Sequence, residues 1–248
     1  MRSLEMKKFR KADAVFVAEG YKLVGDLLDV FECTYLVATA EWLLAHDVWV
    51  HKLNNRGVEV DEVTEEELKR VSFQETPQQV LAVFKQPVYE VDVNVVAKKD
   101  LCLVLDDVQN PGNLGTIVRL ADWFGIEHIF CSKGCADIYN PKTIRSTMGS
   151  IYRMKVAIAD DLTEVVSKMR ADGIRVYAAH LKGKKSYYEQ DYRKGTCFMI
   201  GNEANGLTDT LADMATDYIL IPMSGQVESL NAGVASALLM YEAKRQRM

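Results

Sequence analysis

At 248 residues, 48% of them apolar, the chain has enough material to bury the core of one large domain or two modest ones, and two domains are the expectation taken here. Its apolar runs fall well short of the roughly 20 residues of a membrane span, and the start (MRSLEMKKFRKADAVF) lacks the apolar core and cleavage site of a secretion signal. Both features point to the cytosol and to no membrane partner. The net charge of −5 speaks against a polyanionic partner only as an average. Residues 1–97 hold 11 Lys and Arg against 17 Asp and Glu, while the remainder holds 19 against 18. There the bases cluster at Lys142, Arg145, Arg153 and Lys155, at Lys182, Lys184 and Lys185, and at Lys244, Arg245 and Arg247, where solvated surface and nucleic-acid contact both remain open.

In chain order, a short strand (14–18) runs into a helix (20–31), and CTYLVAT follows as a second strand. EWLLAHDVW has helical spacing, and TEEELKRVS reads as a helix start whose acidic first turn suits the macrodipole. VLAVF is a strand stopped by Pro87, which completes a small domain of alternating strands and helices. After a polar step at 98–100 the alternation becomes regular. LCLVLDD leads to the helix NLGTIVRLADWFG, then come HIFCS, the helix PKTIRSTMG, MKVAIA, the helix LTEVVSKMRADG, RVYAAHL, a basic loop, CFMIGNE, the short helix LTDTLADMA, YILIPM and a final helix. Such a pitch predicts an open, mostly parallel sheet with helices on both faces, and places function at the strand ends. The domains are therefore expected over 1–97 and 98–248.

Metal and disulfide chemistry find little purchase. The five cysteines include no CxxC pair, and the histidines (His46, His51, His128, His180) show no HExxH or equivalent spacing, so no metal site is expected.

Three strand-end loops carry the chemistry. In DDVQNPGNLGTIVR, an Asn-Pro-Gly turn opens a helix whose first N–H groups can hold a ligand, and Arg119 lies on that helix, either as a charge returned to the loop or as a surface ion-pair partner. Neither GxGxxG nor GK[ST] occurs there, which disfavours a nucleotide-dependent dehydrogenase. In IGNEANGL, Gly201 allows close backbone approach to a ligand and Gly206 a left-handed turn. Glu203 is either a functional carboxylate or an anchor for loop amides, the anchor being favoured. In IPMSGQVESLNAG, Pro222 ends a strand, Gly225 turns the chain and Ser229 sits where an N-cap is expected. The helix behind it (Ala232, Gly233, Ala235, Ser236, Ala237) has almost no side-chain bulk, so its neighbours must come very close.

Taken in order and spacing, NPGNLGTIVR, IGNEANGL and IPMSGQVESLNAGVAS resemble the three motifs of the SpoU (TrmH) family of RNA ribose 2′-O-methyltransferases in the SPOUT superfamily, over residues 100–248. Residues 1–97, with FVAEGYKLVGDLL, are similar to the L30e-like substrate-binding domain that many members carry. The resemblance implies an α/β fold with a C-terminal α/β knot, a deep trefoil with a mostly parallel sheet flanked by helices, and a smaller N-terminal α/β L30e-like domain. It implies S-adenosyl-L-methionine as cofactor, with Gly201, Ile221 and Leu230 in contact and Met223 nearby. Its functional positions match Asn113, Arg119, Glu203, Ser229 and Asn231, all present. Asn231 and Ser229 are expected to orient the ribose or the cofactor carboxylate, Glu203 to hold Asn113 and the loop amides, and Arg119 to grip the phosphate next to the target ribose.

Many members read GNEGxGL; here Ala204 replaces a glycine, which the geometry tolerates unless φ is positive there. TIRSTMG (143–149) resembles a family segment near the target nucleotide, where Arg145 is matched to phosphate contact. A homodimer through the C-terminal domain is also implied. Ribosomal RNA is favoured over transfer RNA because the extra domain goes with the ribosomal branch; a tRNA 2′-O-methyltransferase and a non-catalytic RNA-binding protein are the alternatives.

Overall fold

The computed structural model describes every residue except Lys99, Leu181, Val227 and Glu228, so Val227 and Glu228 of the third motif, and Lys99 of the polar step, lie outside the described residues. The chain forms two compact units, Met1–Pro87 with Tyr139–Tyr152, and Val88–Ile138 with Arg153–Met248. This differs from a single boundary at 97/98 in two ways. The first cut falls earlier because Val93 and Val96 are buried in the core of the second unit. Residues 139–152, which the alternating pattern puts in the C-terminal domain, group with the first unit: the Tyr139 ring stacks on Phe16 at 5.2 Å, and Gly149 lies against the Asp26 carboxylate. The helix α7 (Pro141–Thr147), carrying exposed Lys142 and Arg145, thus adds two cations to the more acidic unit.

The first unit is built on a four-stranded sheet in the order β1 (Val15–Glu19), β4 (Val80–Lys85), β2 (Cys33–Ala38), β3 (Glu59–Glu62). Only the β2–β3 pair is parallel. β3 carries three acids in four residues, has no apolar periodicity, and lies at the sheet edge, where charge deters further strand pairing. That is why EVDE does not read as a strand in the sequence. The expected helix over EWLLAHDVW is two helices, α3 (Ala40–Ala45) and α4 (Asp47–Asn55), interrupted at His46 with φ −131° and ψ 36°. The helix α5 (Glu65–Val71) starts with a capping box: the Thr64 hydroxyl accepts from Glu67 N at 3.2 Å and Glu67 accepts from Thr64 N at 2.9 Å. The helices α1 (Lys7–Asp13) and α2 (Tyr21–Leu28) complete the unit.

In the second unit seven strands form a parallel sheet in the order β7 (Lys155–Ala159), β6 (His128–Ser132), β5 (Leu101–Leu105), β10 (Thr196–Ile200), β8 (Arg175–Ala179), β11 (Asp217–Leu220), β9 (Lys185–Ser186). All the pairings are parallel. The central strands β5 and β10 are buried at every position, as their unbroken apolar sequences require. The helices are α6 (Pro111–Phe124), α8 (Leu162–Ala171), α9 (Asp209–Asp213) and α10 (Ala232–Gln246). α6 ends at Gly125 with φ 73°, a left-handed C-cap. β5 leads outward through β6 to β7, whereas β8, β10 and β11 lie on the other side. The strand order therefore reverses at the β5–β10 pair, and the loops that follow these two strands lie side by side at the carboxyl edge.

Candidate active site

The loops that follow β5, β10 and β11 meet at that edge. Asn110 caps α6, its Oδ1 accepting from Gly112 N at 2.8 Å and Asn113 N at 3.3 Å, and Pro111 occupies the first turn, where no N–H is needed. This fixes Asn113 on the first turn of α6. The Glu203 carboxylate accepts from Asn113 Nδ2 at 2.8 Å and more distantly, at 3.4 Å each, from Gln109 N and Asn110 N. Burial by itself pushes the Glu203 pKa up, but the Asn113 amide and the backbone N–H groups of Glu203, Asn110 and Gln109 outweigh it and hold the group below the usual carboxylate range. Glu203 thus makes anchoring contacts.

Asn113 in turn accepts, through Oδ1, a hydrogen bond of 2.9 Å from Asn231 Nδ2. Asn231 is the N-cap of α10, its Oδ1 accepting from Gly233 N at 2.9 Å and Val234 N at 3.3 Å. The orientation of both amides follows from the ends of this chain. The helix start needs an oxygen at Asn231, so its Nδ2 faces Asn113; the carboxylate needs a donor, so the Nδ2 of Asn113 faces Glu203. The N-cap expected at Ser229 is in fact Asn231, because only the residue directly before Ala232 can reach the free N–H groups of the first turn. Ser229 is exposed and lines the cavity described next.

Beside Glu203 lies an open cavity of about 450 Å³. Gly201, Glu203, Ile221, Met223, Ser229 and Leu230 all line it, together with Ile200, Leu207 and Leu220. Asn113, Asn231 and Arg119 are not among its lining residues. Gly201 has a further reason beside the one read in the sequence: a Cβ there would overlap the backbone of Gly206 and Leu207, so the loop itself also requires the glycine. The loop closes as a tight hairpin in which Asn202 and Gly206 exchange backbone hydrogen bonds of 2.9 Å, Gly206 turning at φ 72°. Ala204 is not among the residues with positive φ, so its methyl group meets no backbone penalty. His180, at the end of β8, also lines the cavity; its Nδ1 accepts from Lys182 N at 3.0 Å, which leaves Nε2–H as the donor of the neutral ring. As a lone histidine it carries no signal in the sequence, and only the strand order brings it here.

Arg119 stands on the exposed side of α6, nearly two turns beyond Asn113, and makes no hydrogen bond or ion pair among the described residues. Along the same side run Thr116 and Trp123, the indole being 81% exposed. Among the described residues no group of three or more His, Cys, Asp and Glu gathers with metal-binding geometry, and no helix is long and apolar enough to cross a membrane.

Comparison with known proteins places this arrangement. Residues 100–241 match the SpoU rRNA Methylase family and residues 1–82 the MRM3-like substrate binding domain. The chain is 32% identical over 243 residues, 98% of itself and 94% of the relative, to the 23S rRNA (guanosine(2553)-2′-O)-methyltransferase RlmP of Bacillus subtilis. It is 33% identical over 150 residues, 60% of itself and 64% of the relative, to the tRNA (guanosine(18)-2′-O)-methyltransferase of Escherichia coli. Among solved structures, the S-adenosylmethionine-bound rRNA methyltransferase of Sinorhizobium meliloti superposes with a TM-score of 0.91 at 33% identity, covering 100% of this chain and 93% of that one. The chain belongs to the SpoU rRNA methylase family. It is an S-adenosylmethionine-dependent RNA ribose 2′-O-methyltransferase, with a parallel-sheet catalytic unit and a separate substrate-binding unit.

The cavity fits that cofactor. Its volume falls within the roughly 300–1,000 Å³ of small-molecule sites. Its walls join aliphatic side chains, suited to an adenine ring and a methionine chain, to backbone at three strand ends.

Proposed function

We propose that this enzyme methylates a ribose 2′-hydroxyl in ribosomal RNA, with Gly201, Ile221, Met223 and Leu230 on the cofactor side and Asn113, Arg119, Glu203, Ser229 and Asn231 on the RNA side. The observation that carries this reading is the relay Glu203–Asn113–Asn231, which starts at the cavity wall and links all three motif loops. Bound in the cavity, S-adenosylmethionine supplies a sulfonium methyl group, and displacement there requires the hydroxyl in line and easily deprotonated. Glu203 is poorly suited to take that proton, since its carboxylate is held ionised by the donors around it. A guanidinium does not give up its proton in proteins, so Arg119 cannot serve as the base. Its role is therefore to grip the neighbouring phosphate and lower the hydroxyl pKa by its charge, the proton leaving to water or to that phosphate. Ser229 and Asn231 orient the ribose or the cofactor carboxylate.

Ribosomal RNA is preferred because the relative named for 23S rRNA aligns with nearly the whole chain, whereas the alignment with the one named for tRNA spans 60% of it. On this reading the enzyme meets its RNA in the cytoplasm. Purified protein given unmodified 23S rRNA, tRNA and S-adenosylmethionine should leave one new 2′-O-methyl mark on the 23S RNA, read by primer extension at low nucleotide concentration. A mark confined to tRNA would move the substrate to that class, and cofactor-independent RNA binding with no mark would sink the reading.

We further infer that the passage from the third loop into α10 is the trefoil knot of the family. Support comes from the close packing there: a Cβ on Gly233 would approach Thr116 Cγ2 to 3.2 Å. The homodimer is inferred to form through α6 and α10, which expose Trp123, Val234 and Tyr241 together. That face would set Arg119 beside the partner subunit. Light scattering at micromolar concentration should give the dimer mass, and Trp123→Glu should give the monomer; a wild-type monomer would count against this interface.

A further inference from the structure

Asp107, two residues past β5, takes a left-handed conformation, φ 57°, which L residues other than Asn and Asp seldom adopt. Glycine would meet that backbone demand without a side chain. The aspartate side chain is nevertheless used, through one carboxylate oxygen. Its Oδ2 accepts from Gln109 Nε2 at 3.0 Å and from Asn202 Nδ2 at 3.4 Å, while its carbonyl oxygen accepts from the same Asn202 Nδ2 at 2.9 Å. Its N–H donates to Ser132 Oγ at 2.9 Å. The carboxylate also occupies the space at Gly134, where a Cβ would overlap Asp107 Oδ1.

Both partners of this carboxylate lead to Glu203. Gln109 donates its backbone N–H to Glu203 Oε2. Asn202 directly precedes Glu203, and its Oδ1 accepts from Ala204 N at 2.9 Å and Asn205 N at 3.0 Å, which shapes the turn that presents Glu203. We infer that Asp107 is a positioning residue for methyl transfer, acting through Gln109 and Asn202 to set where Glu203 holds Asn113, with Gly134 as the gap that admits its carboxylate. This rests on the reading of Glu203 and Asn113 as part of the transfer machinery. It adds a second cross-link between the first and second motif loops, made by residues outside the proposed catalytic and cofactor-binding set.

The test uses the full-length enzyme, S-adenosylmethionine and unmodified 23S rRNA transcript. Asp107→Gly keeps the backbone geometry and removes the carboxylate. It should leave Tm unchanged or raised, lower kcat about 10- to 100-fold and change the cofactor KM less than about twofold. Hydrogen exchange should speed up at the Gln109 and Asn110 amides, which face Glu203. Asp107→Asn keeps both the left-handed tolerance and one acceptor oxygen, and should restore most of kcat and of the protection.

Gly134→Ala should reproduce the loss in the wild-type background and cost nothing further in Asp107→Gly, because the carboxylate it displaces is gone. The inference is overturned if Asp107→Gly retains full kcat and amide protection, if Asp107→Asn fails to rescue, or if Gly134→Ala costs the same in both backgrounds. Full activity in Glu203→Gln would instead remove the reading of the site beneath it, while the exchange result would still report whether Asp107 positions the loop.

Discussion

Aspartate at position 113 should cost the enzyme at least about 100-fold in kcat, although the side chain keeps its shape. Asn113 Nδ2 donates to Glu203 Oε1 at 2.8 Å, and its Oδ1 accepts from Asn231 at 2.9 Å. Aspartate satisfies Asn231 equally well but turns the other contact into two carboxylates at hydrogen-bond distance, which cannot both stay ionised. In the wild type the Glu203 pKa is depressed, so its anchoring is present at neutral pH and is lost only as pH falls through the depressed value. In Asn113→Asp the pair binds a proton more tightly, and the shared proton restores the bridge as pH falls. Comparing kcat between about pH 8 and pH 5, the ratio of variant to wild type should rise on acidification. A ratio independent of pH would show that this contact does not organise the site.

Arg119→Ala should be the most damaging single change on the RNA side, about 1,000-fold in kcat, with Arg119→Lys intermediate. Lysine keeps the charge and loses the bidentate fork that matches a phosphate. Cofactor affinity, measured by calorimetry, should stay unchanged in both variants, because Arg119 is not among the residues lining the cavity. If the charge works by easing loss of the hydroxyl proton, the rate of Arg119→Ala should climb more steeply with pH than that of the wild type. Near-full activity in Arg119→Lys would sink the phosphate-grip role.

The parallel sheet was legible because β5, β6 and β10 are near-continuous apolar runs bounded by turn residues, and the α6 cap was legible in Asn-Pro followed by a closing glycine. The loops of the site were legible as loops, but their internal wiring was not. Asn231 rather than Ser229 caps α10 because the helix starts at Ala232; both are good N-cap residues, so the sequence alone did not choose between them. Gly201 does line the cavity, but the hairpin's close approach to itself, which also demands a glycine there, was not readable. His180 and Asp107 were invisible too: strand order brings the first to the cavity, and an unusual φ sets the second apart. The excursion 139–152 into the first unit was hidden because PKTIRSTMG has the spacing expected of any crossover helix. What assigns it elsewhere is the Tyr139–Phe16 stack, a contact between residues more than 120 positions apart in the chain.

The place of β10 at the middle of the sheet has a consequence for how the enzyme is made. β5 pairs with β10 along its whole length, and some ninety residues of intervening chain must be synthesised before that partner exists. Until Thr196–Ile200 leaves the ribosome, one edge of the apolar strand Leu101–Leu105 has no neighbour, and β8, already made, has neither of its partners β10 and β11. Most of the loops lining the cavity lie later still, so the cavity can take shape only after β10 and β11 have been made. Fragments truncated before Thr196 should therefore expose a sticky strand edge and aggregate, and refolding of the full chain should be slow.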